Sequence, residues 1–295
     1  MKYLSAVEGK DGISARVVAA SIANNTPLWT LEIRAPKFLD AEFEKHRMLS
    51  SNSSSSRAIP FKPNPNPYIP SDLRRKQRGM QGYESLTEQE AMSFKVDLFN
   101  NIKRTNLFLE GWQDIVHKQH LNRYTEAWTL QTKVVTGTEW DNFFLLRSAA
   151  NAQPEIQEVA RCMQLAMAEV IPKQLRVGEW HLPYVDDSDL AEGLDTAIMC
   201  SVARCARTSY VTHDRKPPDA KKDVELYSKL FADQHMSTFE HQGTPMRDVF
   251  SPVTITSLPV LFAQDGVTHL DNQYRAWSGN LRNWIQYRQL VSTWN

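Results

Sequence analysis

Lys45-His46-Arg47 is followed within ten residues by Ser50-Ser51-Asn52-Ser53-Ser54-Ser55-Ser56 and then by Arg57. Three basic side chains ahead of a run of short hydroxyls suit a phosphorylated small molecule. The cations meet the phosphate charge, and the hydroxyls supply rotatable donors for its oxygens. On composition alone a flexible serine linker is the simpler account. A second chemistry would be nucleophilic, because Cys205 sits between Arg204 and Arg207, where cations lower a thiol pKa. Cys162 beside Met163 and Cys200 beside Met199 read as core packing. His117 and His120 share a helix face without a completing ligand, so a surface or capping role is expected and no metal site. Leu73 to Arg78 is a basic run without interleaved aromatics and reads as a solvated loop rather than a nucleic-acid contact.

Lys-His-Arg-x-x-Ser-x-Asn-x-x-Ser-x-Arg at 45 to 57 resembles the signature of the flavin-dependent thymidylate synthases. Asn122-Arg123, Thr136-Gly137-Thr138-Glu139-Trp140-Asp141-Asn142-Phe143-Phe144-Leu145-Leu146-Arg147 and Ala152 to Ile156 follow in the family's order, so the likeness runs from about residue 28 to 171. Ala203 to Tyr210 and His235 to His241 are similar to the family's N-terminal segments, yet they follow the signature here. The chain therefore resembles a long, rearranged group within that family.

The resemblance implies an α/β fold with helices packed on a central mixed sheet, assembled as a homotetramer with shared active sites. It also implies reductive methylation of dUMP to dTMP, with methylenetetrahydrofolate as carbon donor and NADPH as reductant through FAD. Carried over by position, Glu42, Ser53, Ser55, Arg57, Arg123 and Arg147 fall on substrate-contacting positions, with Arg147 as the catalytic group. Lys45, His46, Arg47, Asn52, Thr136, Thr138, Asn142, Ser209 and His241 fall on flavin-contacting positions or in those motifs. Lys45 stands where the family carries Arg, Ser53 where an acid is common, and Thr138 where an Arg usually meets flavin. Arg282 or Arg288 is the expected substitute for the last. Altered substrate reading would favour another pyrimidine nucleotide such as dCMP, and a non-catalytic nucleotide-binding protein is the remaining alternative.

The elements that would position these groups are mostly helical. Residues 28 to 33 alternate loosely as a half-buried strand, followed by an amphipathic stretch over 38 to 48. Five prolines between Pro60 and Pro70 extend the serine loop. Thr87-x-x-Glu90 is a capping box that opens a helix to about residue 118. Further helices are expected over 139 to 147, from Pro154 to about 170, over 195 to 207 and 219 to 234, and as a short aromatic helix over 280 to 290. Residues 178 to 195 read as a connection. A soft boundary near residue 190 separates a signature-bearing region, 1–190, from a second region, 191–295, holding the displaced motifs. Phe43-x-Lys45-His46-Arg47 is echoed by Trp284-x-Gln286-Tyr287-Arg288, a match short enough to arise by chance.

The 295 residues carry 34 Lys plus Arg against 34 Asp plus Glu, so no global field recruits nucleic acid or an anionic membrane. Three cysteines make no disulfide framework, and no run approaches the length of a membrane span. A cytoplasmic enzyme acting on small molecules is the expectation.

Overall fold

The computed structural model describes residues 3–79, 82–207, 219–247, 249 and 258–291. Its centre is a sheet built around one hairpin. Strands β2 (Ser14–Ala23) and β3 (Thr26–Pro36) are joined by Asn24 and Asn25, both at positive φ (49° and 54°). This is the geometry a two-residue hairpin turn requires, and Asn tolerates it better than most residues. Strand β1 (Ser5–Glu8) pairs with β2, and β5 (Leu130–Gly137) pairs with β3 from Pro36↔Leu130 to Trp29↔Gly137. Beyond β5 lies β4 (Ser50–Ser53), giving the order β1-β2-β3-β5-β4. These pairs are antiparallel, and β6 (Lys173–Gln174) joins β2 in parallel, so the sheet is mixed.

Both faces of the sheet are covered, which explains why β2 and β3 carry so few polar positions. On one face α5 (Pro154–Ala168) lays Ile156, Val159, Ala160, Met163 and Ala166 against Ala15, Val17, Trp29, Leu31 and Ile33. On the other, Tyr184 and Cys205 meet Val18 and Val134, while Leu175, Leu281 and Trp284 meet Ala23 and Leu28. The result is the expected α/β arrangement of helices on a central mixed sheet.

Several boundaries differ from expectation. The strand expected over 28 to 33 runs from Thr26 to Pro36. The stretch over 38 to 48 is helical only as a 3₁₀ turn, Lys37–Leu39, and α1 (Asp40–Glu44). It ends because the amide of His46 returns to the Phe43 carbonyl and that of Leu49 to the His46 carbonyl, turning the chain into β4. Thus the first half of the serine run is a strand. Helix α2 (Glu88–Glu110) starts at the Thr87–Glu90 capping box but stops at Gly111, short of 118. Its inner row buries Ile102 and Leu109, whereas Met92, Phe94, Val96, Phe99, Leu107 and Phe108 face outward and are exposed.

Helices α3 (Lys118–Thr125) and α4 (Asp141–Arg147) flank β5. The connection over 178 to 195 contains α6 (Asp187–Ala191), opened by a capping box between Asp186 and Asp189, and leads to α7 (Leu194–Arg207) and then α8 (Ala220–Ala232). The helix expected over 280 to 290 is mostly extended. Gly279 and Asn283, at φ 58° and 61°, break any helix and set short strands at Ala276–Ser278, Leu281–Arg282 and Trp284–Gln286, with helix only at Tyr287–Val291.

Candidate functional site

Helix α4 packs on the corner between α1 and β4 through aromatic rings. Phe143 stacks on Phe43, with centroids 5.3 Å apart, and meets the His46 ring edge-on at 4.9 Å. This contact brings Arg147, at the end of α4, onto the signature. Its Nη1 lies 2.8 Å from Glu42 Oε2, its Nη2 donates to the Glu42 carbonyl at 3.2 Å, and its Nε donates to His46 Nε2 at 2.9 Å. Lys45 holds the other Glu42 oxygen at 3.0 Å. The Lys45 and Arg147 cations keep Glu42 below the usual carboxylate range, with the Lys45 hydrogen bond the largest contribution. Burial, reinforced by Arg147, pushes His46 below its ordinary value, so the ring accepts at Nε2 and is neutral. Arg147 is thus a half-buried guanidinium held in plane by three partners.

Lys45, Arg47 and Asn142 are exposed at this corner, and Asn52 is half-buried on β4 opposite Val134. Ser53 donates to Asp40 at 3.4 Å, and Asp40 also pairs with buried Lys133 at 2.9 Å.

Ser54 and Ser56 line a cleft of about 490 Å³. Lys37, Arg34, Lys62 and Glu126 also contribute to its walls. Asn122 on α3 fixes the loop by donating to the Ser56 and Ile59 carbonyls, each at 2.9 Å. Ser56 hydrogen-bonds Glu126, which pairs with Arg123 at 3.2 Å. Ser55 and Arg57 are exposed next to it. The serine run is therefore tied down on both sides, and the linker account does not describe it.

Besides His46, three of the flavin-position residues lie inside the protein. Thr136 is fully buried and bonds Thr30 at 2.7 Å and His241 Nδ1 at 2.8 Å, and His241 is itself fully buried. Thr138 is buried, and its hydroxyl accepts from the Arg282 amide at 3.1 Å. The Arg282 side chain pairs with Glu139 at 2.6 Å, whereas Arg288 is bound to Glu240. Ser209 lies outside the described residues. Thr30 and His181 join Thr136 and His241 without having been singled out in the sequence. Asn280, also missed, brackets β4 through Ser50, 2.9 Å away.

Arg204 and Arg207 are engaged by acids from other helices. Arg204 is 1% exposed and makes a two-pronged contact with Asp189 at 2.5 and 2.7 Å, plus one with Asp223 at 2.8 Å, while Arg207 takes the other Asp223 oxygen. Both cations are therefore taken up by carboxylates, and burial pushes the Cys205 thiol well above the ordinary range. Cys162 and Cys200 are pushed up to about 11 for the same reason. Replacing each cysteine by Ala should leave turnover within about tenfold, at a packing cost of about 1 kcal/mol. Loss of all turnover in a folded Cys205→Ala protein would restore the thiol to the mechanism. His117 caps α3, accepting from the Gln119 amide. Among the described residues no cluster of His, Cys, Asp and Glu could hold a metal ion, and no helix is long and apolar enough to cross a membrane.

The family model described as thymidylate synthase complementing protein matches residues 24–173. A comparison with solved structures finds a UMP/dUMP methylase, PolB from Streptomyces cacaoi, bound with 5-Br UMP. It is 18% identical, with a TM-score of 0.47, over 55% of this chain and 92% of that one. A second structure of that methylase, bound with 5-Br dUMP, is 21% identical, with a TM-score of 0.42, over 48% and 67% of the two chains. No curated protein matches the sequence.

Proposed function

Because the chain belongs to the thymidylate synthase complementing protein family, we propose that it methylates C5 of dUMP to give dTMP, with methylenetetrahydrofolate as carbon donor and NADPH as reductant through FAD. The observation that carries this reading is the clamp on Arg147. A guanidinium held by Glu42 and His46 at the edge of the signature is set to face a uracil carbonyl and to stabilise negative charge developing on the ring. Ser55, Arg57 and Arg123 supply hydroxyl and cationic donors for the nucleotide phosphate. Ser53, bonded to Asp40, lies between these and the corner.

The exposed donor set of Lys45, Arg47 and Asn142, with half-buried Asn52, fits a diphosphate-bearing cofactor. Thr136, Thr138 and His241 are buried and take a positioning role behind β4 and β5, as His46 does behind Arg147. Arg282, beside Thr138, offers the cation that this position lacks. FAD, when bound, supplies the redox chemistry, so no side-chain nucleophile is needed and the raised cysteine pKa values are consistent with the reading. The outward apolar row of α2 gives a homotetramer a surface to cover.

Purified protein supplied with FAD and dUMP should show the oxidised-flavin absorption bands. With reduced flavin it should release tritium from C5-labelled dUMP, and little from labelled dCMP. Faster release from dCMP would replace the substrate assignment. Failure to bind FAD in the presence of dUMP would leave the non-catalytic nucleotide-binding alternative.

A further inference from the structure

On the sheet face opposite α5, five buried side chains form an unbroken hydrogen-bonded chain. Ser21 Oγ lies 2.9 Å from His181 Nδ1, and His181 Nε2 lies 2.8 Å from Thr30 Oγ1. Thr30 Oγ1 lies 2.7 Å from Thr136 Oγ1, and Thr136 Oγ1 lies 2.8 Å from His241 Nδ1. The sheet itself builds the middle of the chain, because Thr30 and Thr136 are register partners on β3 and β5. Ser21 reaches the same face because it is opposite Leu28, two residues from Thr30. Thr30, Thr136 and His241 are fully buried, His181 is 1% exposed, and Ser21 is 6% exposed. The last atom, His241 Nε2, is buried without a hydrogen-bond partner among the described residues.

We propose that this chain locks the two imidazoles into the same tautomer, making His181 a positioning residue that decides what His241 Nε2 offers to a bound group. The proton count forces the match. Each hydroxyl carries one hydrogen and each neutral ring carries one N–H. If Thr30 donates to His181 Nε2, its oxygen accepts from Thr136, whose oxygen accepts from His241 Nδ1–H. Both rings are then protonated at Nδ1, and His241 Nε2 presents a lone pair. If His181 donates from Nε2, Thr30 donates to Thr136 and Thr136 to His241 Nδ1. Both rings are then protonated at Nε2, and His241 presents a proton. One mismatched pair, with both rings donating inward, strands a hydroxyl hydrogen with no acceptor in the chain. The other, with both rings accepting, leaves the Thr30 and Thr136 oxygens 2.7 Å apart with no hydrogen between them. Buried polar groups avoid both. Burial pushes both rings down to about 3, so neither is charged near neutral pH and the counting applies.

The unpartnered end, His241 Nε2, therefore takes a hydrogen-bond donor in one state and an acceptor in the other. Its choice is transmitted four hydrogen bonds away to Ser21, next to β6, and to the loop where His181 pairs by its backbone with Gly243. The tautomer match holds whether or not the group at Nε2 is a flavin.

The test is a two-bond proton–nitrogen correlation spectrum of histidine-labelled protein at neutral pH, with rings assigned by single His→Gln variants. His181 and His241 should both be neutral and protonated at the same nitrogen. Where two tautomers coexist, their fractions should be equal in the two rings at every temperature. Opposite tautomers, unequal fractions or a charged ring would overturn the inference. Thr30→Ser should preserve the equality, and Thr30→Val should let the two rings vary independently. If Thr30→Val does not fold, the wild-type spectrum decides alone.

Discussion

Arg147→Ala and Arg147→Lys should both keep the fold and any flavin spectrum while dUMP-dependent turnover falls at least about a hundredfold. A preorganised donor facing developing charge is worth about 3 to 4 kcal/mol, or 10²- to 10³-fold in rate. A helix-end arginine that only offsets the dipole of α4 is worth about 0.3 to 1 kcal/mol. The difference between these magnitudes makes the experiment decisive. Lysine keeps the charge but has no planar fork to hold Glu42 and His46 together, so it should not rescue. Because Arg147 also depresses the His46 pKa, the Ala variant should titrate His46 closer to its ordinary value. Near-normal turnover in Arg147→Lys would show that charge without geometry suffices. Near-normal turnover in Arg147→Ala would remove the residue from catalysis.

Asp223→Ala should be among the most destabilising single changes in the chain, lowering unfolding free energy by about 3 to 5 kcal/mol. Asp223 is fully buried on α8 and is the shared partner of Arg204 and Arg207 on α7. Its removal leaves Arg204 uncompensated on one side, in an interior where it also holds Asp189 and the Tyr184 carbonyl. The comparison is Asp219→Ala, which removes the cap of the same helix and an exposed pair with Lys222 and should cost far less. Urea unfolding of both variants measures the gap. A midpoint for Asp223→Ala equal to that of Asp219→Ala would mean that the cluster contributes no more than a surface pair.

What the sequence reveals, and what it hides, follows from the range of the interactions involved. The starts of α2 and α5 are legible because Thr87, Glu90 and Pro154 act within one turn of themselves. The Lys45 to Arg57 cluster is legible because its members are contiguous. Strand β2 is not, since burial on both faces erases the alternation that marks a half-exposed strand. The stretch over 280 to 290 has helical spacing of aromatics, but the backbone of Gly279 and Asn283 overrides it. His181 and Thr30 escape detection because their chemistry exists only where the sheet and a loop 151 positions away meet. Arg204 and Arg207 mislead for a related reason, as their acids lie on other helices.

The turn at Asn24-Asn25 is closed from far along the chain. Asn24 donates to the carbonyls of Met246 and Asn283, and Asn283 and Trp284 donate to Thr26 across 257 and 258 positions. During synthesis at about 5–20 residues per second, the hairpin emerges roughly 10–50 s before the segment that covers it. Over that interval Ala23 and Leu28, which finish beneath Leu281 and Trp284, face solvent. Such non-local closure slows folding relative to the local helices. Nascent chains should therefore depend on chaperone shielding of the hairpin until the last strands arrive.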